Sequence, residues 1–288
     1  MAKDVYLHYE QAALDAEYDN RKKVPNHGEW LARYAAESAR TRTGLEARLD
    51  VPFGTHAGER LDVFPARAAG APVHVFIHGG YWQWLDKSDF SFVARALQPE
   101  GAAVVVVNYA LIPTVGMDEL VRQCRAAIAW VHGHAASFGG DPNRISVSGH
   151  SAGGHLVAMA MSTDWKAFGG LPTDVIKAGC AISGLYDLEP IRRCYLNAVL
   201  KLTPEDARRN SPVHCPPARS GPLLLVLGGL ESAEYHRQSE TLAATWHSRK
   251  LHCQVVGMPE HDHFSIVAEL EDSNSTLSRL LLRQMGLR

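Results

Sequence analysis

At 288 residues, with 46% hydrophobic and 21% charged residues, the chain has the composition of a folded globular protein with one sizeable core. Twenty-nine basic against 31 acidic residues leave a formal charge of -2, too little field for a nucleic-acid backbone or an anionic membrane, so a small molecule is the expected partner. The first ten residues lack the apolar run of a secretory signal and no later apolar stretch reaches membrane-spanning length. The five cysteines are scattered without C-x-x-C spacing, so the expectation is a cytoplasmic protein with reduced thiols.

Residues 1–44 alternate charge with Tyr, Leu and Trp. Their spacing predicts short helices over 12–18 and 29–38, parted by Val24-Pro-Asn-His-Gly28. This amino-terminal arm carries no motif. The runs 45–51 and 59–64 then alternate between turn residues in the manner of a hairpin, an antiparallel edge. From there the period changes. Short, mostly apolar runs at 73–77, 103–107, 145–148, 175–182, 223–227 and 253–256 alternate with helical spacing over 88–98, 117–137, 152–162 and 234–248. Strands apolar on both faces and separated by helices predict a mostly parallel sheet covered on both sides, with right-handed crossovers. One interval breaks the alternation: 184–220 carries Pro190, Pro204, Pro212, Pro216 and Pro217 among arginines, and reads as a small cap on what is otherwise a single α/β domain over 1–288. The pattern leaves the oligomeric state open, a homodimer included.

In such a sheet, chemistry is sought past the carboxyl ends of the strands. The strand at 145–148 leads into Gly149-His150-Ser151-Ala152-Gly153 and then an apolar helix. Gly-x-Ser-x-Gly places Ser151 on a sharp strand-to-helix turn, with small neighbours where a strained backbone leaves no room for bulk. Ser151 is the candidate nucleophile, although the pentapeptide alone also suits a plain serine in a glycine-rich turn. The strand at 73–77 runs into His78-Gly79-Gly80-Tyr81-Trp82. Adjacent glycines there let backbone N–H groups face a site, as an oxyanion hole requires, with Gly80, Tyr81 and Ala152 as the expected donors. His78 reads as a tether of that loop. With Trp82, Trp84 and His150 it is also a candidate for the wall of a substrate pocket, though tryptophans at this spacing also pack cores.

A serine hydroxyl needs a base. The run at 253–256 is followed by Pro259-Glu-His261-Asp262-His263-Phe264, so His261 and His263 are the candidates, His263 standing directly ahead of an apolar segment. A zinc site on His261-x-His263 would lack a third ligand cluster. The acid that orients the base is sought after 223–227, where Gly228-Gly-Leu-Glu231 follows. The alternative is that Glu231 caps the next helix and Asp262 or Asp187 is the acid.

Together, His78-Gly-Gly-Tyr-Trp82, Gly149-His-Ser-Ala-Gly153, Glu231-Ser-Ala-Glu-Tyr-His-Arg-Gln-Ser239 and Asp262-His263-Phe264 resemble the kynurenine formamidases (arylformamidases) of the α/β-hydrolase superfamily, from the arm to the last helix. The resemblance implies an α/β-hydrolase fold, Ser151 as nucleophile, His263 as base, and Glu231 as acid at a position where the family often has aspartate. It also implies hydrolysis of N-formyl-kynurenine to kynurenine and formate, with neither cofactor nor metal. Arg192 or Arg193 of the cap is then the expected partner of a substrate carboxylate. Two rivals remain: a carboxylesterase, arylesterase or amidase acting on small aryl or acyl substrates, and a non-catalytic ligand-binding member of the fold.

Overall fold

The computed structural model describes residues 4–288, and each of the six apolar runs forms a strand. With the hairpin they build one sheet from β1 (Arg48–Pro52), β2 (Arg60–Phe64), β3 (Ala71–Ile77), β4 (Ala103–Val107), β5 (Gly140–His150), β6 (Ile176–Ile182), β7 (Leu223–Gly228) and β8 (Cys253–Met258), in the order β1-β2-β4-β3-β5-β6-β7-β8. β2 pairs antiparallel with β1 and with β4, and every other pairing is parallel. This is the α/β-hydrolase arrangement that the resemblance implies.

Apolar residues on both faces of the central strands explain why helices cover both. Every residue of β3 and β4 is buried. Val105 and Val107 join one core cluster while Val104 and Val106 join the other, as the period of two in a strand requires. The helices are α1 (Gln11–Tyr18), α2 (Asn20–Lys23), α3 (His27–Gly44), α4 (Val93–Leu97), α5 (Met117–His134), α6 (Ala152–Met161), α7 (Trp165–Gly169), α8 (Glu189–Arg193), α9 (Asn197–Leu200), α10 (Pro204–Arg209), α11 (Ala233–Ser248), α12 (Ser265–Ala268) and α13 (Thr276–Gln284). Cores on α5, α6 and α11 fill one face, and α4 and α13 with Tyr34 of α3 fill the other. Among the described residues no helix is long and apolar enough to cross a membrane.

Two elements differ from their expected extent for identifiable reasons. α3 runs on to Gly44 because its buried face there is polar: Ser38 and Thr41 are buried, and Ser38 Oγ accepts a hydrogen bond from Phe92 N. An apolar periodicity cannot register such a face. The segment 88–98 is broken instead, because Asp86 and Asp89 form a capping box that closes a 3-10 turn at Lys87–Asp89 before α4 begins. Residues 184–220 form the short α8, α9 and α10, with Pro190 and Pro204 in the opening turns of α8 and α10, where a missing N–H costs nothing.

Register positions the site. β3 and β5 lie side by side, with Ile77 opposite Gly149, and β7 lies beside β8, with Gly228 opposite Met258. The loops that follow β3, β5, β7 and β8 therefore open on the same edge of the sheet.

Candidate active site

Ser151 sits between β5 and α6 with φ 58° and ψ -118°. A non-glycine residue held there costs about 1–3 kcal/mol, which the surroundings must over-determine. They do so by close backbone packing. Ser151 N donates to Ile182 O at 2.8 Å, and a Cβ added to Gly153 would lie 2.0 Å from Ile77 O. Alanine at 153 would push α6 off the end of β3, which is why the motif ends in glycine.

His263, on the loop after β8, places Nε2 3.0 Å from Ser151 Oγ and Nδ1 2.5 Å from Glu231 Oε1. With Nδ1–H donating to the carboxylate, Nε2 is left free to accept the serine proton. Glu231 Oε2 accepts from Gly228 N at 3.1 Å, and the Glu231 and His263 side chains are 1% and 7% exposed. The other two acids are committed elsewhere. Asp262 Oδ1 accepts from Phe264 N and Ser265 N, closing the turn into α12. Asp187 accepts from Tyr6 Oη and Glu189 N. Glu231 does not cap α11, whose N-cap is Ser232. His261 points away, with Nε2 3.5 Å from Glu269, so it and His263 do not converge as a pair of metal ligands.

The loop after β3 carries three consecutive positive φ values, Gly80 105°, Tyr81 48° and Trp82 60°. Gly80 is required there, since a Cβ would lie 2.0 Å from Trp84 O. Among the described residues, the N–H groups of Gly80, Tyr81 and Ala152 have no acceptor. That of Ala152 is an orphan of the first turn of α6, at the positive end of the helix dipole.

A cleft opens over Ser151 and His263, lined by Leu31, Tyr34, Trp84, Leu85, Phe90, Tyr195 and Phe264, with Asn20 and Arg21 on one side and His150 beneath. Trp84 and His150, two of the candidate pocket residues, are among those that line it. His150 is buried, and desolvation with the neighbouring His263 holds its pKa well below the usual histidine value. As a neutral ring it donates Nε2–H to His263 O at 2.7 Å, fixing the loop that carries the base.

Four expected contacts are corrected. His78 does not line the cleft. It is buried under Tyr109, ring centroids 4.4 Å apart, with Nε2 3.0 Å from Asn108 Oδ1, and so acts as an anchor beneath the loop. Trp82 turns into the core and donates Nε1–H to His155 Nδ1 at 3.1 Å. The chain turns tightly here, with Trp84 N donating to Gly80 O at 2.9 Å, and Trp84 lines the cleft while Trp82 is in the core. Arg192 and Arg193 are held by Glu189, and the cation at the cleft is Arg21, its guanidinium carbon 4.4 Å from the centroid of the Trp84 ring. Sequence reasoning missed Asn20, Arg21, Leu31 and Tyr34 altogether; the arm that carries them has no motif to find.

Comparison with known proteins places the chain among hydrolases. A model of the BD-FAE family matches residues 61–245. A kynurenine formamidase of Danio rerio is 37% identical over 254 residues, covering 86% of this chain and 85% of that protein. One of Salmo salar is 36% identical over 255 residues, covering 86% and 85%. Among solved structures, a protein of Silicibacter sp. named as a thioesterase superposes with a TM-score of 0.81 at 28% identity, covering 92% of this chain and 97% of that one. An esterase of Pyrobaculum calidifontis gives a TM-score of 0.74 at 18% identity, covering 90% and 91%, and shares the fold. The chain belongs to the BD-FAE group of α/β-hydrolases and to the kynurenine formamidase family.

Proposed function

We propose that the protein is a serine hydrolase of aryl formamides, converting N-formyl-kynurenine to kynurenine and formate. The observation that carries the reading is the continuous line Glu231–His263–Ser151 in a cleft that Gly80 and Tyr81 also line. Ser151 Oγ attacks the formyl carbon as His263 Nε2 takes its proton. The carbonyl oxygen becomes an oxyanion in reach of the N–H groups of Gly80, Tyr81 and Ala152. Collapse breaks the C–N bond, and His263 returns the proton to the departing aryl amine. Water, deprotonated by the same imidazole, then releases formate and restores Ser151. Membership of the kynurenine formamidase family supports the formyl group as the acyl part. The aromatic walls of the cleft support an aryl leaving group.

An aryl ester offers the same carbonyl and the same ring, so esterase activity is the second reading, favoured by the esterases among the structural neighbours. Steady-state rates with N-formyl-kynurenine and p-nitrophenyl acetate under identical conditions test the assignment. The formamide is expected to have the higher kcat/KM. A formamide rate at background beside rapid ester cleavage would transfer the assignment to an esterase.

A further inference from the structure

The arm's Asn20 lies in the wall of the cleft, yet its amide nitrogen is spent inside the protein. Nδ2 donates to Tyr81 Oη at 3.1 Å and to Tyr235 Oη at 2.8 Å. Tyr81 Oη donates in turn to Tyr18 O at 2.7 Å. With that proton committed, the 2.9 Å contact between Tyr81 Oη and Tyr235 Oη must be donated by Tyr235. Every proton in the cluster then has one place to go, and Asn20, Tyr81 and Tyr235 are all buried. A buried network satisfied in only one way is rigid, because any departure leaves a polar group unpaired.

Tyr81 also has its backbone at φ 48°, its N–H has no acceptor among the described residues, and it lines the same cleft as Ser151. An extended or helical backbone at that position would turn the N–H elsewhere. Tyr235 packs its ring 5.0 Å from that of His263, so one cluster touches both the oxyanion loop and the base.

We infer that Asn20 is a positioning residue for the reaction: by clamping the Tyr81 side chain it holds the Tyr81 N–H in place as an oxyanion donor, so that docking of the amino-terminal arm completes the catalytic centre. The inference rests on the proposed reading of Ser151 as nucleophile. It is tested in the full-length chain with Asn20→Ala, Tyr81→Phe and the double variant, with Ser151→Ala as reference. Loss of one oxyanion donor costs about 10²–10³ in turnover, so a donor loosened rather than removed is expected to lower kcat about 10- to 100-fold while KM changes less than about threefold. Because both substitutions break the same contact, the double variant is expected to be no slower than the slower single. Tyr81→Phe keeps the ring packed and carries the test alone if Asn20→Ala does not fold. A wild-type kcat in the folded single variants, a rise in KM alone, or a double variant as slow as the product of the singles would overturn the inference. If Ser151→Ala is inert while Asn20→Ala turns over normally, only this inference falls. If Ser151→Ala stays active, the reading beneath it falls too.

Discussion

A serine hydroxyl is scarcely ionised at neutral pH, so on this account Ser151 depends on the 3.0 Å contact to His263 Nε2, and His263 on its 2.5 Å contact to Glu231. Ser151→Ala is expected to abolish turnover of N-formyl-kynurenine and p-nitrophenyl acetate alike while leaving thermal unfolding near wild type. Residual turnover above background in both assays would remove Ser151 from the role. Glu231→Gln is nearly isosteric but can hold His263 in the wrong tautomer, and in the template case that error lowers turnover by about 10⁴. A loss under tenfold would mean that the imidazole is oriented by something else. At this scale the sequence was legible wherever a motif and a strand exit coincided, as they do at Ser151, Glu231 and His263. It was illegible where side-chain direction mattered: His78 and Trp82 lie next to the right residues but face the core.

The oxyanion loop works as an element, since its shape is set by backbone contacts. Gly80 at φ 105° has Trp84 O where a Cβ would go. Gly80→Ala is expected to retain the fold but displace the donors, with kcat falling about 10²–10³; a kcat within a few-fold of wild type would show that the loop is not the hole. The strands were readable because apolar runs between turn residues have few other uses. The helices of the amino-terminal arm were readable too, but their docking was not, because Tyr18 and Asn20 are polar residues that a network with Glu234 and Tyr235 of α11 buries. In sequence such residues are indistinguishable from a solvated helix face.

For the whole molecule, four buried histidines set the response to acid. Desolvation lowers His78 and His150, brings His155 to about 4 and His74 to about 3, all from a usual 6.5. The unfolded chain therefore takes up protons below about pH 6.5 that the folded chain refuses, so stability is present above that value and is lost as the pH falls. Each such group contributes up to about 1.4 kcal/mol per pH unit. The unfolding midpoint is expected to begin its decline near pH 6.5, above the range in which carboxylates titrate. A midpoint constant from pH 7 to pH 5 would contradict this.

Three separate loops bring Ser151, His263 and the Gly80–Tyr81 turn to one cleft. Treatment with a fluorophosphonate followed by peptide mass mapping tests their joint role most directly, since the reagent needs all three to react rapidly. One phosphonate per chain, on Ser151, and loss of all hydrolytic activity are expected. An unlabelled Ser151, or labelling elsewhere with activity retained, would contradict that role.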